Sequence, residues 1–199
     1  MLKKDILSEQ DYTVSMTSNY ITAVPSMPGA FLFKTFNCCD NRGKFLKPFS
    51  SNDFPVSLIL KEIFINISNR GVLRGMHFQS PPADHEKIVF CLSGKLHDVL
   101  LDLRQGSPNF GQYTQTILSA AEPQSLFIPK GVAHGFQSLE NETTLLYLTS
   151  EPHNPVMDSV INPLSFGVQW PIPNPIISAR DNTSLGWDEY QTPFEFFNP

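Results

Sequence analysis

One histidine of this chain lies in a segment that otherwise has the composition of a β-strand. In RGVLRGMHFQ, residues 70–79, His77 follows Arg74 and Gly75 at positions where a core strand would carry valine. An imidazole can exchange a proton near neutral pH, and a guanidinium can bind an anion. These residue types therefore indicate acid–base chemistry or ligand binding, with a hydrogen-bonded structural histidine as the alternative.

The spacing of Arg74 and His77 puts their side chains on opposite faces of a regular strand. A glycine inside a strand often marks a bulge or the close approach of a ligand. A bulge at Gly75 would bring both side chains into one cavity, and we take it as a hypothesis for the structure to test.

A second segment, IPKGVAHGFQSL (128–139), also combines a turn, a histidine and a glycine. His134 alone would more often be structural than functional. Two such segments on neighbouring strands of a small barrel favour a shared pocket, because barrel interiors commonly bind ligands.

The composition favours strands and excludes several classes of partner. Charged residues make up 17% of the 199 residues, beside 16 Phe and 17 Pro, which is typical of short aromatic-rich strands. A net charge of −5 offers no basic surface to nucleic acid or an anionic membrane. No apolar run approaches the roughly 18–20 residues of a membrane span.

The cysteines and the N-terminal segment lead us to expect a cytoplasmic protein. Cys38, Cys39 and Cys91 fit neither a disulfide framework nor a zinc site, and we interpret them as reduced thiols. The basic N-terminal residues are not followed by the apolar region of a signal peptide.

Segments with strand composition alternate with Gly- and Pro-rich turns along most of the chain. The predicted strands are KEIFINIS, KIVFCL, LHDVLLDL, GQYTQTIL, SLFI and TTLLYLTS. This spacing indicates a β-sandwich or small barrel rather than βαβ units. KIVFCL is apolar on both faces, as expected of a buried strand.

We divide the chain into an N-terminal arm (1–30), a barrel (31–171) and a C-terminal tail (172–199). The arm is polar and patternless, and is expected to be mobile or to form an edge strand. The tail is too proline-rich for a regular sheet. It is expected to wrap the barrel, because Trp187 and Tyr190 need burial.

Several of these segments together resemble the dTDP-4-dehydrorhamnose 3,5-epimerase family. The segments are RGVLRGMHFQ, EKIVFCLSGKLHDVLLDLRQGSPNFGQY, LFIPKGVAHGFQSL, LLYLTS, FGVQWP and ISARD, in the family's order, over roughly residues 36–181. The resemblance implies an all-β, cupin-like jelly-roll barrel (a double-stranded β-helix) with short helices and an extended tail. It also implies a homodimer that needs no metal or organic cofactor.

The implied substrate is a nucleotide-diphosphate 4-keto-6-deoxy sugar that is inverted at C3, C5 or both, in deoxysugar biosynthesis for surface polysaccharides such as the lipopolysaccharide O-antigen. The C4 ketone acidifies the hydrogens on C3 and C5, so the enzyme needs a base, an acid on the opposite face and a group at the developing oxyanion.

The resemblance assigns these roles to particular residues. His77 matches the family's base, Asp181 the carboxylate that orients it, Tyr147 the opposite-face proton donor, and Lys87 the cation near the enolate oxygen. The residues that resemble the family's substrate contacts, the acidic one placed only loosely, are Arg42, Asn66, Arg74, His134, Asp158 and Arg180. Asp98 and Asp102 are taken either as structural residues or as residues that support the site.

A metal centre is the main rival interpretation of these histidines. Cupin-type barrels bind metals through a His-x-His pair with a later Glu and His. Here the residue two beyond His77 is Gln79, no His-x-His occurs, and His85 with Glu86 falls in a proline-flanked loop. We therefore expect no metal.

Two departures from the family lie at its base-recognition end. Lys47 stands where the family carries a glutamate that helps to recognise thymine, and Phe64 stands where it carries a glutamine. An unmatched buried polar group costs about 1–3 kcal/mol. We therefore hypothesise a different nucleotide, such as CDP or GDP.

Two other functions remain as alternatives. One is a nucleotide-sugar 3,4-ketoisomerase on the same barrel, and the other is a non-catalytic sugar-nucleotide-binding cupin. The joint presence of His77, Lys87, Tyr147 and Asp181 argues against the latter.

Overall fold

The fold is described by a computed structural model that covers residues 13–14, 21–50 and 58–197. Within these ranges the chain forms fifteen strands and two very short helices, so the predicted all-β class is confirmed. The helices are α1 (Ala179–Asn182) and a 3₁₀ helix, Trp187–Glu189. None of the helices in the described ranges is long and apolar enough to cross a membrane.

The strands follow the predicted segments closely between Glu62 and Thr149, whereas most strands before and after this range were not predicted. In chain order they are β1 (Thr13–Val14), β2 (Ile21–Ala23), β3 (Phe31–Lys34), β4 (Phe36–Asp40), β5 (Gly43–Lys47), β6 (Glu62–Ser68), β7 (Val72–Gln79), β8 (Lys87–Ser93), β9 (Lys95–Asp102), β10 (Tyr113–Ser119), β11 (Gln124–Ile128), β12 (Val132–Ser138), β13 (Thr143–Thr149), β14 (Asp158–Val160) and β15 (Ile176–Ile177).

Two six-stranded sheets form the barrel. Sheet 1 has the order β2-β3-β11-β8-β13-β6, and sheet 2 has the order β10-β9-β12-β7-β14, with β15 also paired to β7. All pairs are antiparallel except β15 with β7. Strands that are distant in sequence are neighbours in both sheets, as in a jelly roll. A third, small sheet joins β1, β4 and β5.

The main core lies between the two sheets. Val89 and Leu145 from sheet 1 pack in one cluster with Leu96, Leu100 and Phe136 from sheet 2, and all five are almost fully buried. On β8, residues 87–91 are buried on both faces, which confirms the prediction from KIVFCL.

The C-terminal tail covers the outer face of sheet 2. Phe194 is buried, and the partly buried Trp187 and Tyr190 pack with it against Met76 and Val99 on that face. The expectation of no regular sheet in the tail was wrong at one point, because β15 pairs with β7. Its two residues follow the last proline of the run, so their N–H groups are available, and Ile176 N donates to the carbonyl of Gly71 at 2.9 Å.

Only part of the predicted arm falls within the described residues. In that part, β2 pairs with β3 and forms the outermost strand of sheet 1. Residues 1–12 and 15–20 lie outside the described ranges.

The predicted bulge in β7 is present. In the pairing of β7 with β12, His77 is opposite His134 and Arg74 is opposite Phe136. The two paired positions are therefore three residues apart on β7 but only two residues apart on β12. The extra residue returns Arg74 and His77 to the same face. Arg74 Nε accordingly donates to the hydroxyl of Ser68 at 3.1 Å, on sheet 1.

The bulge depends on two glycines that face each other across β7 and β12. Gly75 has a φ of +124°, and a Cβ on it would lie 2.4 Å from Gly135 Cα and 2.9 Å from the carbonyl oxygen of His134. A Cβ on Gly135 would in turn lie 2.5 Å from the sulfur of Met76. Neither position has room for a side chain.

Gly75→Ala is expected to lower the free energy of unfolding by about 3 kcal/mol or more, because it adds both backbone strain and a clash. Gly43→Ala is the matched control, since Gly43 has a φ of +130° with nothing within 4 Å of its Cβ position. It should cost about 1 kcal/mol from strain alone. Urea denaturation measures both values, and equal losses would contradict the close approach at Gly75.

Candidate active site

An open cavity of about 150 Å³ lies between the two sheets. Sheet 1 contributes residues of β6, β8 and β13, and sheet 2 contributes residues of β7, β12 and β14. The lining residues are Glu62, Phe64, Asn66, His77, Phe78, Gln79, His85, Lys87, His134, Tyr147, Thr149, Glu151, His153, Asp158 and Arg180. Both sheets therefore present polar side chains to one space.

His77 is held by a carboxylate from the tail. Its Nε2 lies 2.9 Å from Oδ1 of Asp181, and the second oxygen of Asp181 accepts a 3.2 Å bond from the Gly75 N–H. The Asp181 side chain is 5% exposed, whereas that of His77 is 36% exposed. One edge of the imidazole is thus fixed while the ring remains accessible from the cavity.

Helix α1 places Asp181 at this position. The Ser178 side chain caps the helix by accepting a bond from Asp181 N at 3.1 Å. Burial works to raise the pKa of the Asp181 carboxyl, but the hydrogen bond and charge of His77 and the Gly75 N–H lower it below its ordinary value. Asp181 therefore stays ionised beside the imidazole.

Tyr147 faces the cavity from β13, on the opposite sheet. It is 7% exposed, and burial and the charge of Asp98 raise the pKa of its phenol well above the ordinary value. A hydrogen bond with Asn66 and the positive charge of Arg74 lower the pKa of the phenol, but by less. The phenol remains protonated at any physiological pH, while groups that would stabilise a transient phenolate lie nearby.

Lys87 is a buried cation at the start of β8. Its Nζ donates to the carbonyl of His77 at 3.1 Å. Burial lowers the pKa of the ammonium group to about 8, although the charge of Asp158 raises it. The amine therefore changes charge just above neutral pH.

A second histidine–carboxylate pair lies beside the first. His134 and His77 are directly opposite each other in the β12–β7 register. Nε2 of His134 lies 2.7 Å from Oδ2 of Asp98, both side chains are at most 3% exposed, and the His134 ring meets the edge of Tyr147 at 5.8 Å between centroids. Asp98, taken from the sequence as a supporting residue, directly contacts a cavity residue.

The structure brings most of the sequence-predicted site residues together. The seven that line the cavity are His77, Tyr147, Lys87, Asn66, His134, Asp158 and Arg180. Arg180 and Asp158 form a 2.8 Å ion pair at its edge. Asp181 lies behind this lining, bonded to His77, whereas Arg74 bonds Ser68 and, contrary to the bulge hypothesis, does not line the cavity.

Arg42 lies elsewhere, at the turn between β4 and β5. It is 72% exposed at its side chain and pairs with Asp40. It does not line the cavity of its own chain. The pairing lowers the pKa of the Asp40 carboxyl.

Sequence reasoning did not predict several cavity residues. Glu62 alternates with Phe64 and Asn66 on β6, so strand periodicity could have found it. His85 was set aside because of its loop, yet its Nδ1 lies 3.1 Å from the Gln79 amide nitrogen. Burial, followed by the charge of Lys87, lowers the pKa of His85 to about 4, so this imidazole is neutral.

The titratable groups of the cavity do not form a metal centre. Within residues 13–14, 21–50 and 58–197, the structure contains no cluster of three or more His, Cys, Asp or Glu side chains that could hold a metal ion.

Comparison with known proteins identifies the family. Residues 25–189 match the profile of dTDP-4-dehydrorhamnose 3,5-epimerase. The chain belongs to this family. The dTDP-4-dehydrorhamnose 3,5-epimerase of Mycolicibacterium smegmatis is 35% identical over 161 residues, which span 78% of this chain and 80% of that protein.

Solved structures of relatives share the fold of this family member. The dTDP-6-deoxy-D-glucose-3,5-epimerase of Legionella pneumophila, in complex with dTDP-4-keto-L-rhamnose, superposes with a TM-score of 0.83 at 27% identity, covering 89% of this chain and 98% of that one. The 3′-monoepimerase ChmJ of Streptomyces bikiniensis, in complex with dTDP-quinovose, gives a TM-score of 0.78 at 28% identity, over 83% and 87%. The cupin-like jelly roll is thereby confirmed, and relatives include both double and single epimerases.

Proposed function

We propose that this protein inverts C3, C5 or both in a nucleotide-linked 4-keto-6-deoxy sugar. The observation that carries the proposal is the arrangement of His77 and Tyr147, which line one cavity from two facing sheets. Inversion at carbon requires proton removal on one face and proton delivery on the other. A single histidine could exchange the hydrogen but would return it to the same face.

The reaction begins at His77, held through Nε2 by Asp181. His77 takes a hydrogen from the carbon beside the C4 ketone as a proton, and the bonding electrons move onto the C4 oxygen. Asp181 stabilises the imidazolium that forms, because a buried carboxylate beside the ring favours its charged state. The ammonium of Lys87, close to His77, is proposed to stabilise the enolate oxygen.

Tyr147 completes the inversion. Its phenol donates a proton to the carbon from the face opposite His77, and the pair on the C4 oxygen returns to form the ketone. The phenolate is stabilised by Arg74 and Asn66 until water restores the proton, while His77 returns its own proton to water. Both residues then regain their starting state.

The remaining predicted contacts are proposed to hold the substrate. Asp158 and Arg180 at the cavity edge can bind sugar hydroxyls and a phosphate oxygen, and His134 lies beside Tyr147 where it can reach the sugar. Arg42 does not line the cavity of its own chain, and we propose that it reaches the substrate bound by a second copy. The free thiols Cys38, Cys39 and Cys91 suit a cytoplasmic enzyme.

The nucleotide is proposed to differ from thymidine diphosphate. Phe64 lines the cavity where the family pattern has an amide, which removes a hydrogen-bonding partner. Lys47, which replaces a carboxylate of the family pattern, ends β5 and does not line the cavity. The proposal rests on the departures from the family pattern at these two positions, and CDP and GDP are the candidate nucleotides.

The outer face of β6 supports a homodimer. Ile63, Ile65 and Ile67 are each more than half exposed there, and β6 is the last strand of sheet 1 among the described residues. Leu146, on the next strand, extends this apolar face. An exposed apolar surface on an edge strand is typical of a self-association site.

Deuterium exchange tests the reaction directly. Incubation of dTDP-, CDP- and GDP-4-keto-6-deoxyglucose in heavy water is expected to give inverted product with deuterium at C3, C5 or both, seen by NMR. A carbonyl moved to C3 would instead indicate a ketoisomerase, and binding without exchange would indicate a non-catalytic protein. A clear preference for the dTDP sugar would reject the altered-nucleotide proposal.

His77→Ala should reduce this exchange by at least a thousandfold, because general-base removal is lost. His153→Ala, an exposed histidine at the cavity mouth, is the matched control and should retain exchange within about tenfold. A similar loss of deuterium exchange in both variants would contradict the assignment of His77 as the base.

Turnover should also depend on the charge of Lys87. Because its pKa is lowered to about 8, the amine is protonated below that pH and neutral above it. We expect kcat to fall about tenfold per pH unit above pH 8, while the phenol of Tyr147 stays protonated. In Lys87→Arg the residual kcat should show no such fall, since arginine stays charged. A kcat profile of the wild-type protein that is flat between pH 7 and 10 would contradict the role of Lys87.

Ile65→Glu should convert the protein from dimer to monomer, because a carboxylate would be buried without a partner at the interface. Ile117→Glu is the control, on the edge strand β10 of sheet 2, where Ile117 is 43% exposed. Sedimentation velocity measures both masses. A wild-type monomer, or an Ile65→Glu dimer, would refute the proposed interface.

A further inference from the structure

Phe64 and Tyr147 form a stacked pair in the cavity wall. The two residues are directly opposite each other in the β6–β13 register, so their side chains emerge on the same face. Their rings are nearly parallel, with an interplanar angle of 9° and 4.6 Å between centroids. Phe64 therefore covers one face of the phenol.

Tyr147 is contacted from a second direction by His134, whose ring meets it at 62° and 5.8 Å between centroids. The phenol ring is thus packed against two aromatic side chains, one on its own sheet and one on the facing sheet. Phe64 itself is 41% exposed and lines the cavity. Phe64 is thus the more exposed member of the pair, since Tyr147 is 7% exposed.

We infer that Phe64 is a positioning residue, which holds the Tyr147 phenol in the orientation that delivers a proton to the face of the sugar opposite His77. This inference rests on the proposed function. Phe64 touches the proton donor rather than the reacting carbon, so it controls the outcome of the reaction without taking part in proton removal. Its effect is to favour inversion over return of the sugar to its starting configuration.

The enolate has two possible fates, and Phe64 acts on only one of them. A proton from Tyr147 on the far face gives the inverted carbon. A proton from the imidazolium of His77 on the near face restores the original carbon, and in heavy water this return leaves deuterium in unreacted substrate once His77 has exchanged with solvent. Loss of the stack disorders the phenol and therefore slows the first path while leaving the second intact.

The test measures how the deuterium divides between the two paths. Whichever of the dTDP-, CDP- and GDP-4-keto-6-deoxyglucose substrates exchanges fastest is incubated with enzyme in heavy water and quenched early. NMR then gives the deuterium in recovered substrate and in inverted product. Phe64→Leu is expected to raise the ratio of deuterium in recovered substrate to deuterium in inverted product by about two- to tenfold. This is the change that corresponds to loss of one aromatic pair.

Three further variants make the result specific. Phe64→Val also removes the ring and suits a strand position, and it should shift the ratio in the same direction, so the test does not depend on the folding of one variant. Phe64→Tyr keeps a ring that can stack and should give the wild-type ratio. Phe110→Leu makes the same change at a residue of similar exposure, 42%, that lies beside Trp187, and should leave the ratio unchanged.

The outcomes separate this inference from the function on which it rests. If wild-type enzyme incorporates no deuterium from any of the three substrates, the proposed function and the inference both fail. If wild-type enzyme exchanges and inverts but Phe64→Leu and Phe64→Val keep its ratio, the role of Phe64 alone is overturned. An equal shift in Phe110→Leu would overturn it as well, because a general loss of stability would then explain the change.

Discussion

The site depends on the close approach of two glycines, Gly75 on β7 and Gly135 on β12. Their contact allows a bulge that puts Arg74 and His77 on one face of sheet 2. Gly75 also donates its N–H to the carboxylate of Asp181, which holds His77. One local departure from strand geometry thus orients the His77 imidazole, places the Arg74 cation near the opposing phenol and anchors the tail.

The rest of the barrel keeps charged and polar groups in a largely apolar interior by giving them partners. Asp181 bonds His77, Asp98 bonds His134, and Lys87 donates to a backbone carbonyl. Burial raises the pKa of Tyr147 and lowers that of Lys87, in the direction that favours the neutral form of each group. A rigid double-sheet scaffold can hold such groups at fixed separations, because neighbouring strands fix their register and the core is fully packed.

Local patterns predicted strands β6 to β13 well, since composition and turn residues act over a few positions, but they did not predict β3 to β5, β14 or β15. The bulge at Gly75 was foreseeable from the glycine before His77, and burial of the tail from Trp187 and Tyr190. The pairing of His77 with Asp181 joins residues 104 positions apart, and only the family resemblance pointed to it. The stacking of Phe64 on Tyr147 follows from the β6–β13 register, which sequence periodicity alone does not fix. The position of Arg42 outside the cavity reflects tertiary placement of a turn that no local pattern encodes.

The central claim is that a sugar ring fits between an imidazole from one sheet and a phenol from the other. A crystal structure of the protein with a bound nucleotide-linked 6-deoxyhexose tests it most directly. The account predicts that Nδ1 of His77 and Oη of Tyr147 contact opposite faces of the ring, with Lys87 near the oxygen on C4. A sugar bound outside the cavity, or contacted by both groups on the same face, would contradict it.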